Sequence, residues 1–199
     1  GSAVFGEVVS DTEIYWTAFR WTGDGGLQVL SLGGFASWAN AISADGDVVV
    51  GQSYLADNNE TRPFRWTSAG GMQDLGSLGG TNSAATAISA DGAAVAGQST
   101  LAGDTEARAL RWTSAGGMQN LGTLGGNYSA ATAISADGSA VVGGSYLTVD
   151  TGYRAFRWTS GGGMQNLGSL GGNYSTANAI SADGAVVAGQ SYLPGDSEY

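Results

Sequence analysis

The aspartate of an Ala-Asp-Gly triplet falls at Asp45, Asp91, Asp137 and Asp183, 46 residues apart each time. The tryptophan of an Arg-Trp pair keeps nearly the same step, at Trp21, Trp66, Trp112 and Trp158. A period of roughly 40–50 residues made of short apolar runs restricts a chain to stacked or radial repeats, because one such unit cannot bury its own apolar faces.

Each unit divides in the same way. "TAISA" (Thr86 to Ala90) is closed by Asp91-Gly92, a pair that favours tight hairpin turns. "AVAGQS" (Ala94 to Ser99) follows, then a polar loop, then "ALRWT" (Ala109 to Thr113). After Ala115-Gly116-Gly117 comes "MQNLGTL" (Met118 to Leu124), ended by Gly125-Gly126. Four runs in 46 residues leave no room for a helix of roughly 10–12 residues, so the units are read as all-β.

The expected architecture is a β-propeller-type array of four-stranded antiparallel blades, in which blades converge on an axis and splay outward. Side-chain size then orders the strands. "AATAISA" is nearly all small, whereas the third run supplies Phe64 and Trp66, Leu110 and Trp112, Phe156 and Trp158. The Ala-rich run is therefore placed innermost, "VVVGQS" second, "FRWT" third and "GMQNLG" at the rim. One repeat domain is expected over 1–199, with units at about 1–45, 46–91, 92–137 and 138–183 and a partial unit at 184–199.

Composition removes whole classes of chemistry. There is neither cysteine nor histidine, so disulfides, thiolate nucleophiles, the usual zinc and copper ligand sets and Ser-His or Cys-His pairs cannot be built. The net charge is -10 and all seven basic residues are arginine, a balance that repels phosphate backbones and anionic bilayers. Nucleic acid is not an expected partner. Membrane insertion is not expected either, since no apolar stretch of about 18 residues occurs.

The segment "PFRWTSAGGMQDLGSLGGTNSAATAISADGAAVAGQS" (Pro63 to Ser99) resembles the HAF family of bacterial extracellular repeats, whose units look like "HAF-x-W-T…GGM-x-DLG-x-LGG…A-x-AISADG…VVVG-x-S". The likeness continues over the other units and covers essentially the whole chain; the unit grammar also resembles that of WD-repeat blades. The family histidine is replaced by Thr17, Arg62, Arg108 and Arg154, so no task of that histidine is carried over. The resemblance implies a secreted or bacterial cell-surface protein with propeller-like repeats, in some cases part of an autotransporter passenger, whose molecular activity is generally not established.

Gly1 to Gly6 aligns with Gly138 to Gly143, and Tyr199 stands just before the next Arg-x-Phe-Arg-Trp strand would start. The second strand thus occurs five times and the others four. An incomplete ring or a polymerising segment is expected, its uncovered apolar faces costing about 25 cal/mol per Å² left in water. Head-to-tail docking into a homo-oligomer or polymer would cover them. Four-bladed closure within one chain is the alternative.

Four sets of residues invite functional readings. Asp45, Asp91, Asp137 and Asp183 are expected to cap the backbone of their own turns, with a shared cation at the axis as the alternative. Arg20, Arg65, Arg111 and Arg157 lie on the strand face opposite Phe and Trp, and each is expected to make inter-blade hydrogen bonds or to find a carboxylate partner, a convergent sialidase-like site being the alternative. Trp21, Trp66, Trp112 and Trp158 are assigned to inter-blade packing. Acidic loops recur after the second strand: Asp11 and Glu13, Asp57 and Glu60, Asp104 and Glu106, Asp150, Asp196 and Glu198. They match no EF-hand or RTX spacing and read as a solvated rim; calcium is the alternative, and otherwise no cofactor is expected.

Tyr54, Tyr128, Tyr146, Tyr174 and Tyr192 stand at strand ends or in loops, and the "GGNYS" loops make Tyr128 and Tyr174 candidate ligand residues. No unit breaks the pattern with a cluster of reactive groups. The expected function is a non-catalytic structural or adhesive surface module, self-associating through its open ends, with a glycan or a host surface protein as further possible partners. A carbohydrate-binding propeller is the alternative, and an enzyme the least favoured class.

Overall fold

The computed structural model describes residues 8–9, 14–57, 59–148 and 152–195, and every regular element in them is a β-strand. In chain order these are β1 (Val8–Val9), β2 (Ile14–Tyr15), β3 (Ala18–Thr22), β4 (Gly26–Leu30), β5 (Gly33–Ile42) and β6 (Val48–Leu55). Next come β7 (Thr61–Thr67), β8 (Gly71–Asp74), β9 (Gly79–Ile88), β10 (Ala94–Leu101), β11 (Ala107–Thr113) and β12 (Gly117–Asn120). The last are β13 (Gly125–Ile134), β14 (Ala140–Leu147), β15 (Tyr153–Thr159), β16 (Gly163–Asn166), β17 (Ser175–Ile180) and β18 (Val187–Ser191).

The strands β5 to β8, β9 to β12 and β13 to β16 each pair antiparallel in succession. One parallel bridge joins each group to the next, Thr61 to Asn82 and Ala107 to Tyr128, giving a twelve-stranded sheet. β3–β4 and β17–β18 form separate two-stranded pairs, as do β1 and β2, and no sheet closes on itself among the described residues. The copy of the second strand expected at Gly1 to Gly6 lies outside the described residues.

Local chemistry accounts for the hairpins. In the first turn of each group a serine hydroxyl accepts the N–H of the residue that opens the next strand, as Ser89 does from Ala94 at 2.9 Å. Gly92 then takes a left-handed φ of +69°, and a Cβ there would also overlap Val48 of the preceding group. Glycine is required twice over at that position.

Two boundaries differ from the sequence expectation. The fourth strand stops at Asn120, not Leu124, because the Asn120 side chain accepts the Gly122 N–H at 2.8 Å and Gly122 turns the chain at φ +80°. The first strand of that group begins at Gly125, nine residues before its end at Ile134, instead of at the Thr132 counterpart of Thr86. Gly125-Gly126 therefore opens that strand and does not end the previous one. At Gly126 a side chain would press on Tyr146 and on the Leu147 carbonyl, so glycine there allows two strands to approach closely.

The first strand of every group, β5, β9, β13 and β17, carries a bulge at the same place. The register passes from Ala85 to Ala87 and from Ala131 to Ala133, leaving Thr86 and Thr132 unpaired, with Asn40 the counterpart in β5. A bulge re-aims its side chain. Here the freed polar groups reach the next group of strands: Asn40 Nδ2 donates to the Ala85 carbonyl at 2.8 Å, Thr86 Oγ1 to Ala131 at 2.8 Å and Thr132 Oγ1 to Ala177 at 2.6 Å. Backbone bonds run alongside, from Ala44 N to Ala90 O, Ala90 N to Ala136 O and Ala136 N to Ala182 O.

Between these groups lie the cores. One joins Ala96, Ala109 and Leu121 to Ala131, Val141, Phe156 and Trp158 of the next group. Another joins Ala18 and Leu30 to Val49, Phe64 and Trp66. The indoles of Trp66, Trp112 and Trp158 are buried, whereas Trp21 is 39% exposed.

Candidate functional site

Each turn aspartate is held by its own hairpin. Asp91 Oδ1 accepts the Ser89 hydroxyl at 2.6 Å and the Ala93 N–H at 3.0 Å, and Asp45, Asp137 and Asp183 repeat the pattern. Donated hydrogen bonds favour the ionised carboxylate. The serine hydroxyl, first among the causes, and the backbone N–H lower all four from the ordinary value of 3.8, Asp137 to about 2. A depressed carboxyl adds stability that is present above its unfolded pKa and is lost as pH falls through the folded one. We therefore expect thermal stability to be flat above about pH 4 and to decline toward pH 2. Ser135→Ala should bring the Asp137 titration, followed by NMR, back toward its ordinary value.

The arginines of the third strands form a forward-running series. Arg20 Nε donates to Gly46 O, Arg65 to Gly92 O, Arg111 to Gly138 O and Arg157 to Gly184 O, at 3.1, 3.2, 2.7 and 2.9 Å. Each acceptor is the glycine of an Asp-Gly turn in the following group, so the aspartate turns and the arginines meet at every junction. Arg20 also lies over the Trp66 ring, 5.1 Å from its centroid.

The acidic loops are partly engaged. Glu60 pairs with Arg62 and Glu106 with Arg108, so two of the arginines standing at the expected histidine position find carboxylates. Asp104 accepts the Thr100 hydroxyl at 2.5 Å and both the N–H and the hydroxyl of Thr81, which lowers its pKa. Asp57 is exposed, and Asp11, Glu13, Asp150, Asp196 and Glu198 lie outside the described residues. Among the described residues no group of three or more acidic side chains comes together as a metal site would require.

Aromatic side chains gather in two clusters. Tyr128, Tyr146, Tyr153, Tyr174 and Tyr192 form one, with Tyr153 stacked on Tyr174 at 5.3 Å between centroids. Tyr128 and Tyr174, singled out from the loops, are thus brought together through Tyr153, whose role the sequence did not reveal. Burial raises the phenol pKa of both Tyr128 and Tyr153. The second cluster stacks Phe35 on Tyr54 at 4.1 Å, with Tyr15 and Trp38 beside them.

A cleft of about 290 Å³ opens between the two clusters, where β5 and β6 meet β9 and β10. Trp38, Tyr54 and Tyr128 supply rings to its walls and Gln52, Asn82 and Gln98 supply carboxamides; no lining residue is charged. Tyr128 Oη donates to Gln98 Oε1 at 2.8 Å, and Thr61 Oγ1 to Asn82 Oδ1 at 3.2 Å. One group further along, the equivalent space is filled: Tyr153 replaces Ala107, Gly144 replaces Gln98, and a Cβ at Gly144 would collide with the Tyr153 ring. The sequence held one signal for the cleft, Trp38 interrupting the small-residue run where Ala84 and Ala130 stand.

Two further grooves lie along the end pairs. One, about 240 Å³, runs past Trp16 and past Ala18 and Phe19 of β3, and another, about 340 Å³, past Val187, Gly189 and Ser191 on β18.

No protein-family model and no curated protein matches the chain. Among solved structures it is similar to a protein assigned as TolB from Agrobacterium tumefaciens, at 16% identity and a TM-score of 0.55 over 81% of this chain and 61% of that one. It is likewise similar to TolB from Acinetobacter baumannii, at 16% identity and a TM-score of 0.51 over 81% of this chain and 42% of that one. The chain thus spans less than two thirds of either protein. At this identity the likeness concerns the fold alone, which is all-β and propeller-like.

Proposed function

We propose that the chain is a run of four-stranded propeller blades repeating every 46 residues, in an unclosed ring, from a secreted or bacterial cell-surface protein of the HAF repeat type. It serves as a non-catalytic structural and adhesive module, and its end units join further copies of itself. The supporting observation is that the two end pairs are complementary halves of one unit and expose what interior units bury. β17–β18 correspond to the first two strands of a blade and β3–β4 to the last two. Val186 is 66% exposed where its counterparts Val48, Ala94 and Ala140 are at most 6% exposed. Trp21 on β3 is 39% exposed where its counterparts Trp66, Trp112 and Trp158 are at most 7% exposed. Apolar strand edges of this kind recruit strands from other chains.

The interior register says how they would join. Val141 faces Trp158 and Gly144 faces Ala155 across β14 and β15, so Val187 of one copy should face Trp21 of another and Gln190 should face Ala18, taking the place that the sequence repeat would otherwise give to the second-strand copy at Gly1 to Gly6. The chain has no cysteine, so engineered thiols report this pairing without background. Gln190→Cys and Ala18→Cys chains, mixed and oxidised, are expected to give a cross-linked heterodimer, and the double variant a ladder of multimers. An uncross-linked mixture together with an internally bridged, monomeric double variant would mean closure within one chain and would overturn self-association.

A further inference from the structure

We propose that the cleft between β5–β6 and β9–β10 binds a neutral saccharide, a pyranose ring lying against Trp38, Tyr54 and Tyr128 with its hydroxyls on Gln52, Asn82 and Gln98. A sugar ring presents an apolar C–H face and a fringe of hydroxyls that both donate and accept. Aromatic faces match the first and carboxamides, which also donate and accept, match the second. The donors are available. Gln98 accepts from Tyr128 and Asn82 from Thr61 through their oxygens, leaving both NH₂ groups to donate. The Gln52 carboxamide and the Trp38 indole N–H have no hydrogen-bond partner among the described residues.

Charge selects the class of sugar. No charged side chain lines the cleft, so nothing there compensates an anionic ligand, and a chain of net charge -10 repels one. The volume, about 290 Å³, is at the small end of ligand pockets and suits one ring at a time. Longer chains have a continuation, since Tyr146, 45% exposed, lies 6.0 Å from Tyr128.

Packing alone does not call for these residues. The same positions are satisfied one unit on by Ala84, Gly144 and Tyr153, which close the space. A tryptophan among alanines, with an alanine where a tyrosine would plug the gap, leaves one junction open and lined by rings and amides. This site stands independently of how chain ends associate.

The test is an array of neutral oligosaccharides of glucose, xylose, mannose and galactose, probed with labelled protein, the strongest binder then being titrated calorimetrically. Two variants import residues that other units already carry, so both should fold: Trp38→Ala, and the pair Gln98→Gly with Ala107→Tyr. Each is expected to weaken binding about tenfold or more, while circular dichroism and melting stay close to the parent. No retained oligosaccharide on the array, a preference for acidic glycans, or binding within about twofold of the parent in both variants would overturn the assignment.

Discussion

Gly97→Ala is expected to destabilise the chain by about 3 kcal/mol or more, a large fraction of the stability of an ordinary domain. Gly97 is buried in β10 opposite the bulge of β9, where Thr86 drops out of register. The bulge pushes the Ala84 carbonyl across the ladder. A Cβ at Gly97 would overlap that oxygen and lie 3.0 Å from both the Ala84 carbonyl carbon and the Ala85 Cα. Backbone on both sides has nowhere to go, and Gly51, Gly143 and Gly189 face the same obstruction in their own units. Gly161→Ala is the control, because nothing lies within 4 Å of its Cβ position and its φ is not left-handed. Alanine already stands at the equivalent Ala69 and Ala115, so this change should be neutral or stabilising by about 0.5 kcal/mol. Urea titration of the two variants separates the outcomes; equal midpoints would contradict the close strand approach.

Trp66→Ala is expected to cost about 4 kcal/mol and Trp21→Ala about 1 kcal/mol in dilute solution. Both indoles occupy the same position of the repeat. Trp66 is 3% exposed, packs with Val49, Phe64, Ala18 and Leu30, and carries Arg20 over its face. Trp21 is 39% exposed on β3, which pairs with β4. If copies join through β18 and β3, the cost of Trp21→Ala should grow with protein concentration while that of Trp66→Ala stays fixed. A Trp21→Ala penalty independent of concentration would separate this indole from any interface.

Much of the strand order was legible because its signals are local and repeated. Asp-Gly turns and alternating apolar residues each act within a few residues, and four copies reinforce one another. Boundaries were less legible where glycine has two meanings: Gly125-Gly126 reads as a stop, yet it is there because β13 and β14 crowd at Gly126. The arginine acceptors were foreseeable in kind, but their identity as turn carbonyls of the next unit depended on how units stack. The cleft was least legible. Its walls come from β5, β10 and the start of β13, and only the fold brings Trp38, Gln98 and Tyr128 to one place.

The guanidinium clasps and the bulge clasps all end on main-chain oxygens, which every residue type possesses. A neighbour is therefore gripped without regard to its outward side chains. Whole 46-residue modules are interchangeable parts under this scheme: duplication or deletion in full steps preserves every clasp, whereas loss of part of a step leaves donors without mates. Lineages of such chains should accordingly vary in length by complete modules and diversify freely on their outer loops.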